Sequence, residues 1–231
     1  MAGDRPFASA VLLAAGSGKR AGLKIPKQFV KLNSRFLFEY SLRKLEKSKF
    51  IRSIVLVVPR DYGGVNKLRN PKVKIVFGGR RRQDSLLNGV REICPQTEVI
   101  LVHDSARPFI TEKMIKMSVR AAHRSGGAVL AVPCRDTIKI AEKGFVKKTV
   151  PRKMLVEAQT PQAFRSEFLV RMKKLLSGKT VFTDEAAVLE KMRVPVKIIT
   201  AESINMKITT AEDLRIAGVL MKSSAGNSRR I

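Results

Sequence analysis

The 231-residue chain has no tryptophan, two tyrosines, two cysteines and two histidines, and its 19 acidic residues face 46 lysines and arginines. Each shortage excludes something. Cys94 and Cys134 are too few for a disulfide framework, which points to a reduced, cytoplasmic setting. His103 and His123 alone speak against a histidine metal cage or a serine–histidine hydrolase. So few large aromatics make stacking platforms for single-stranded nucleic acid hard to build. No run approaches the roughly 18 apolar residues of a membrane helix. The opening "MAGDRPFASAVLLAAGSGKR" lacks the layout of a signal peptide.

What is present in excess is positive charge, a net +27. That charge attracts polyanions, and a basic RNA-binding module is one reading of it. The other is a lysine-rich surface around a site for small anions. The cations are spread along the whole chain rather than gathered in one arm, which favours the second reading, with nucleic acid an unlikely partner. The length allows one or two domains. No linker divides the chain, so it reads as one domain over residues 1–231.

Short apolar runs alternate with amphipathic ones. Residues 9–15, 53–59, 73–77, 98–104, 127–133 and 195–200 are nearly continuous in Val, Ile, Leu and Ala, as in strands covered on both faces. Residues 35–48, 82–93, 111–125, 166–177, 183–192 and 210–222 carry helical spacing, the last opening on a Thr210–Asp213 capping box. This alternation predicts an α/β fold with a Rossmann-like, mostly parallel sheet flanked by helices. Residues 135–164 break the rhythm and read as short strands with a turn at Glu142–Gly144, a protruding hairpin arm. Residues 223–231, "SSAGNSRRI", read as a frayed tail.

The stretch "LLAAGSGKRAGLKIPKQF" (12–29) is a glycine loop after a strand. It lacks the pattern of a P-loop, since Lys19 is followed by Arg20 and no glycine pair has the required gap. Gly16, Gly18 and Ala21 fit the weak dinucleotide pattern, but the acid at the expected offset, Glu39, falls within a helical segment. The loop also carries Lys19, Arg20, Lys24 and Lys27. A helix N-terminus alone can hold a pyrophosphate, so this many cations suggest a more negative ligand, such as a triphosphate. Pro26 stiffens the backbone just before Lys27.

These residues, with "GGRRRQDSLLNGV" (78–90), "LVHDSARPFI" (101–110), "AVPCRDTIKI" (131–140), "AQTPQAF" (158–164), "TDEAAVLE" (183–190) and "NMKITTAEDL" (205–214), resemble the sugar-phosphate nucleotidyltransferases. The likeness is strongest to the cytidylyltransferases that act on methylerythritol 4-phosphate in non-mevalonate isoprenoid biosynthesis. It runs in order over roughly residues 8 to 217. A ribitol-5-phosphate cytidylyltransferase shares several of the motifs and is the alternative.

The resemblance implies CTP and a polyol phosphate as substrates, Mg²⁺ or another divalent cation as cofactor, and a homodimer formed through the 135–164 arm. It makes Arg20, Lys27 and Lys207 catalytic. It gives nucleotide binding to Ala14, Ala15, Gly16, Ser17, Gly18, Gly79, Ser85 and Ala106. Arg107, Asp136, Thr137, Arg152, Thr160 and Thr183 bind the acceptor, Arg152 in its own or the partner's site. Asp104, at the end of an apolar run, is a metal ligand on the resemblance and equally a turn cap on the sequence alone. Thr183 also suits a helix N-cap. Arg80 stands where the family is often acidic, which leaves only a backbone role there in prospect, and Ser105 replaces a common alanine.

Overall fold

A computed structural model describes residues 6–16, 25–62, 70–201 and 204–227. Strand β1 (Ala8–Leu13) is followed by a short hairpin, β2 (Lys31–Leu32) and β3 (Arg35–Phe36), and by helix α1 (Leu37–Lys47). Then come β4 (Ile51–Val58), β5 (Val73–Phe77), α2 (Arg82–Arg91), β6 (Val99–Asp104), α3 (Glu112–Ser125) and β7 (Gly127–Pro133). The hairpin β8 (Lys139–Glu142) and β9 (Phe145–Thr149) precedes β10 (Val156–Arg165), α4 (Leu169–Leu176), α5 (Glu185–Lys191), β11 (Val196–Thr200) and α6 (Ala211–Asn227).

Seven strands form one sheet in the order β11-β7-β10-β6-β1-β4-β5. All neighbours are parallel except β10, which runs antiparallel between β6 and β7. The side chains of β1 show why the apolar runs are continuous. Ala8, Ala10 and Leu12 join the core with Phe38, Leu42 and Leu45 of α1. Val11 and Leu13 point to the other face, with Leu86 of α2 and Met172 of α4. A period of two carried by a doubly covered strand turns every position inward, and the one polar residue of β1, Ser9, is buried against the Ser53 and Thr97 hydroxyls at 2.7 and 2.5 Å.

The chain lays down β1, β4 and β5 in one direction, then returns to place β6 on the far side of β1. The crevice beyond the C-terminal ends of β1 and β6 is therefore the switch point of the sheet, where open α/β folds bind ligands.

Three expectations need correction. The arm is shorter than residues 135–164, because Val156–Arg165 is a core strand. Pro161 and the polar residues around it disguise that strand. The register slips between Gln159 and Gln162, and this bulge takes the proline that a regular ladder would reject. At the C-terminus α6 continues through the polar stretch to Asn227, so 223–227 is helix and not tail. Finally, Asp184 rather than Thr183 caps α5, accepting a bond from Ala187 N at 3.0 Å. The Thr210–Asp213 capping box forms as expected, with reciprocal bonds of 3.1 and 2.8 Å.

The remaining hairpin, β8–β9, stands away from the sheet with every residue exposed. Its two turn residues, Lys143 and Gly144, both have positive φ, as the tight turn of a two-residue hairpin requires.

Candidate active site

The crevice is a cavity of about 430 Å³ whose wall includes Gly16, Lys27, Gly79, Arg82, Asp104 and Lys207. Ala15, Ser85 and Ala106 also face it. Each reaches it for a local reason. Gly16 leaves β1, and its carbonyl accepts a 2.7 Å bond from the buried Gln28 side chain. Lys27 opens the 3-10 turn after Pro26, and its Nζ donates to Ile208 O at 2.7 Å. Gly78 and Gly79 let the β5–α2 loop press on its neighbours. A Cβ on Gly78 would meet the Ala15 side chain at 2.3 Å, and one on Gly79 would meet Asp84 Cβ at 2.4 Å. Gly79 N then donates to Ser85 Oγ at 3.1 Å.

Asp104 ends β6 with a nearly buried carboxylate. Its Oδ1 accepts from Arg82 Nη2 at 3.0 Å, and its Oδ2 from Lys207 Nζ at 2.5 Å. Burial alone would raise its pKa, but these two cations hold it far below the ordinary carboxylate value. Asp104 is therefore ionised at any physiological pH.

Beneath it lies a sealed relay. His103 Nε2 is 3.0 Å from Arg107 O, and a carbonyl can only accept, so Nε2 carries the proton. Nδ1 then accepts from the Thr160 hydroxyl at 3.1 Å, and that hydroxyl in turn accepts from Asp104 N at 3.1 Å. Burial pushes His103 down to about 4, so the ring stays neutral. The relay fixes the backbone from Asp104 to Arg107. Thr160, expected to touch the acceptor, instead spends its hydroxyl inside the protein.

A second cavity, of about 370 Å³, adjoins the first and is lined by Arg107, Arg135, Glu157, Gln159 and Lys207. Lys207 borders both. Asn205, fully buried, organises this floor. Its side-chain nitrogen donates to Gln159 Oε1 at 2.9 Å and Thr160 O at 3.0 Å, while its main-chain carbonyl accepts from Arg107 at 2.8 Å. Burial lowers the pKa of Arg107, with Asp104 and Glu157 opposing.

The structure thus gathers Lys27, Gly16, Ala15, Gly79, Ser85, Asp104, Ala106, Arg107 and Lys207 around two adjoining cavities. Ala14 lies buried just behind Ala15. Asp136, Thr137, Arg152 and Thr183 are exposed and border neither cavity. Arg152 instead donates to Arg135 O at 2.6 Å, at the base of the hairpin. Arg20, Ser17 and Gly18 lie outside the described residues. Arg82, Glu185, His103, Gln28 and Asn205 escaped the sequence reading. Arg82 sits in a run of three arginines, and no periodicity separates it from the other two.

The described residues contain no cluster of three or more His, Cys, Asp or Glu that could hold a metal. Asp104 offers one ionised carboxylate at the cavity wall, and both of its oxygens already accept hydrogen bonds, from Arg82 and Lys207. Paired basic cavities meeting at the switch point of an α/β sheet suit the joining of two phosphorylated anions, and they place the protein among the nucleotidyltransferases.

The comparisons with known proteins narrow this. Residues 8–223 match the family model for 2-C-methyl-D-erythritol 4-phosphate cytidylyltransferase, IspD. The enzyme of that name from Syntrophus aciditrophicus is 37% identical, over 96% of this chain and 99% of its own length. The one from Pelotomaculum thermopropionicum is 39% identical, over 94% of this chain and 95% of its own. Among solved structures, the 4-diphosphocytidyl-2C-methyl-D-erythritol synthase of Anaerococcus prevotii superposes with a TM-score of 0.83 at 28% identity, covering 95% of this chain and 97% of that one. The chain belongs to the 2-C-methyl-D-erythritol 4-phosphate cytidylyltransferase family.

Proposed function

We infer that the protein transfers CMP from CTP to 2-C-methyl-D-erythritol 4-phosphate, giving CDP-methylerythritol and pyrophosphate, a step of isoprenoid biosynthesis. Family membership supports this, and one structural observation carries it to the residues: two basic cavities share Lys207. The first suits the nucleotide and the second the acceptor phosphate.

In the reaction a phosphate oxygen of the acceptor bonds to the α-phosphorus, and the bond from that phosphorus to the bridging oxygen breaks as pyrophosphate leaves. The nucleophile is already an anion, so no general base is needed. What the chain supplies is position and charge. Lys27 and Arg20 serve the triphosphate in this reading. Arg107 holds the acceptor, and Lys207, between the cavities, faces the α-phosphate. Asp104 keeps Lys207 in place and would supply a carboxylate oxygen to a Mg²⁺, which would offset charge on the phosphates when bound.

We propose a homodimer formed through the β8–β9 arm. The arm exposes Phe145 at 79%, Val146 at 65% and, after the hairpin, Met154 at 80%. Apolar surface of that kind on a projecting element suits a second subunit, and Asp136, Thr137 and Arg152 sit at its base. A cytoplasmic setting fits the cysteine content; among the described residues no helix is long and apolar enough to cross a membrane.

The test is pyrophosphate release with CTP and Mg²⁺, offering methylerythritol 4-phosphate and ribitol 5-phosphate separately. Turnover with the first is expected. Turnover with ribitol phosphate only, or with neither, would overturn the reading.

A further inference from the structure

Arg82 bonds two acids at once. Its Nε and Nη2 donate to Asp104 Oδ1 at 3.2 and 3.0 Å. Its Nη1 and Nη2 donate to Glu185 Oε1 and Oε2 at 2.7 and 3.2 Å. A guanidinium has five N–H donors in a fixed fork, and these bonds use most of them. Burial works against its charge, yet the two carboxylates raise its pKa above the ordinary arginine value. With Lys207 the group is neutral: two cations against two carboxylates. Arg82 therefore lines the first cavity without offering it free charge.

Arg82 and its two partners come from three separate elements. Arg82 begins α2, Glu185 begins α5, and Asp104 ends β6. Glu185 is wholly buried and lines neither of the two cavities. The start of α5 does not need this bond to stay in place. Gln162 of β10 already ties it down, donating to Asp184 at 2.9 Å and accepting from Ala186 N at 2.8 Å. A buried ion pair is also a poor source of stability compared with apolar packing. What a forked ion pair adds is direction.

We propose that Arg82, anchored on the buried Glu185, is a positioning residue that fixes the orientation of the Asp104 carboxylate, with Oδ1 toward the guanidinium and Oδ2 toward Lys207. The role rests on the cytidylyltransferase reading. A lysine cannot replace it, because an ammonium lacks the planar fork that spans both acids.

The experiment compares full-length wild type, Arg82→Lys and the doubly neutral Arg82→Gln/Glu185→Gln. It measures kcat and the KM for CTP by pyrophosphate release, with urea midpoints alongside. Arg82→Lys is expected to lose about 10- to 100-fold in kcat, the scale of a small misplacement of a reacting group. Its KM for CTP and urea midpoint should stay near wild type. The double variant, which leaves no buried charge of the pair unmatched, should fold and be equally slow. A folded variant within about threefold of wild-type kcat overturns the proposal. A raised KM with kcat kept also overturns it, since Arg82 would then be binding nucleotide. So does failure of both variants to fold, which would make the network structural. An inactive wild type sinks the cytidylyltransferase reading instead, and this inference with it.

Discussion

The crevice and the hairpin arm are built on opposite terms. In the crevice most polar groups are matched within the chain, although Arg107 Nε and Asn205 Oδ1 are buried without a partner among the described residues. Asp104 has Arg82 and Lys207, Thr160 has His103 and the Asp104 amide, and Asn205 has Gln159 and Arg107. In the arm, β8 and β9 pair only with each other, and Phe145 and Val146 face outward. One region is preorganised by its own fold, the other presents apolar surface with no cover from the described residues. The difference separates what a single subunit can hold ready from what a second subunit would complete.

The largest expected effect breaks the crevice at its charge. Lys27→Ala should cut kcat by about 10²- to 10³-fold, the usual cost of one transition-state electrostatic contact, while the fold survives. Near-normal turnover in a folded variant would remove Lys27 from the mechanism. Arg20→Ala belongs to the same class and is read by the same assay.

The arm is tested next. Replacing residues 139–149 by a short turn should give a monomer in sedimentation, with much of the activity gone. A truncated protein that still sediments as a dimer would mean that the apolar arm is not the interface. A fully active monomer would mean that the crevice is complete without a partner.

A subtler break lies under the crevice. Thr160→Val keeps the shape but strands the Asp104 amide and His103 Nδ1. It should cost about 1–3 kcal/mol, the penalty for unsatisfied buried polar groups. The urea midpoint should then fall at constant slope. An unmoved midpoint would show that the relay does not hold the loop.

The smallest effect lies at the start of α6. Asp213 caps α6 through Thr209 and Thr210. Burial tends to raise its pKa, but these hydrogen bonds win and lower it below the ordinary 3.8. A depressed carboxyl stabilises the fold above its unfolded pKa and loses that contribution as pH falls through the folded value. Asp213→Asn should therefore cost about 0.5–1 kcal/mol at neutral pH. The gap to wild type should close in acid thermal melts; a gap that persists unchanged would refute the carboxylate's role.

Much of this was legible in the residues. Strands covered on both faces are mostly apolar, so β1, β4, β6 and β7 announced themselves as runs despite polar residues such as Ser9 and His103. Gly16, Lys27, Asp104 and Lys207 were legible because motifs place them at strand and loop ends. β10 was only half visible, because its centre, "QTPQ" (159–162), is polar and buried, and burial of a hydrogen-bonded polar residue leaves no periodic trace. Arg82 was hidden for a related reason. Its bond to Glu185 joins positions 103 apart, and nothing local marks which of three adjacent arginines turns inward.

The sequence by itself determined the alternation of strand and helix, the basic character of the loop ends and the family. These follow from burial on two faces and from the local chemistry that phosphates demand. The tertiary structure decided which polar side chains face a cavity and which spend their bonds inside. Thr160 and Arg82 went inward, and Asp136, Thr137, Arg152 and Thr183 stayed at the surface. That choice depends on partners distant in the chain, and only closing the sheet brings them within hydrogen-bonding reach.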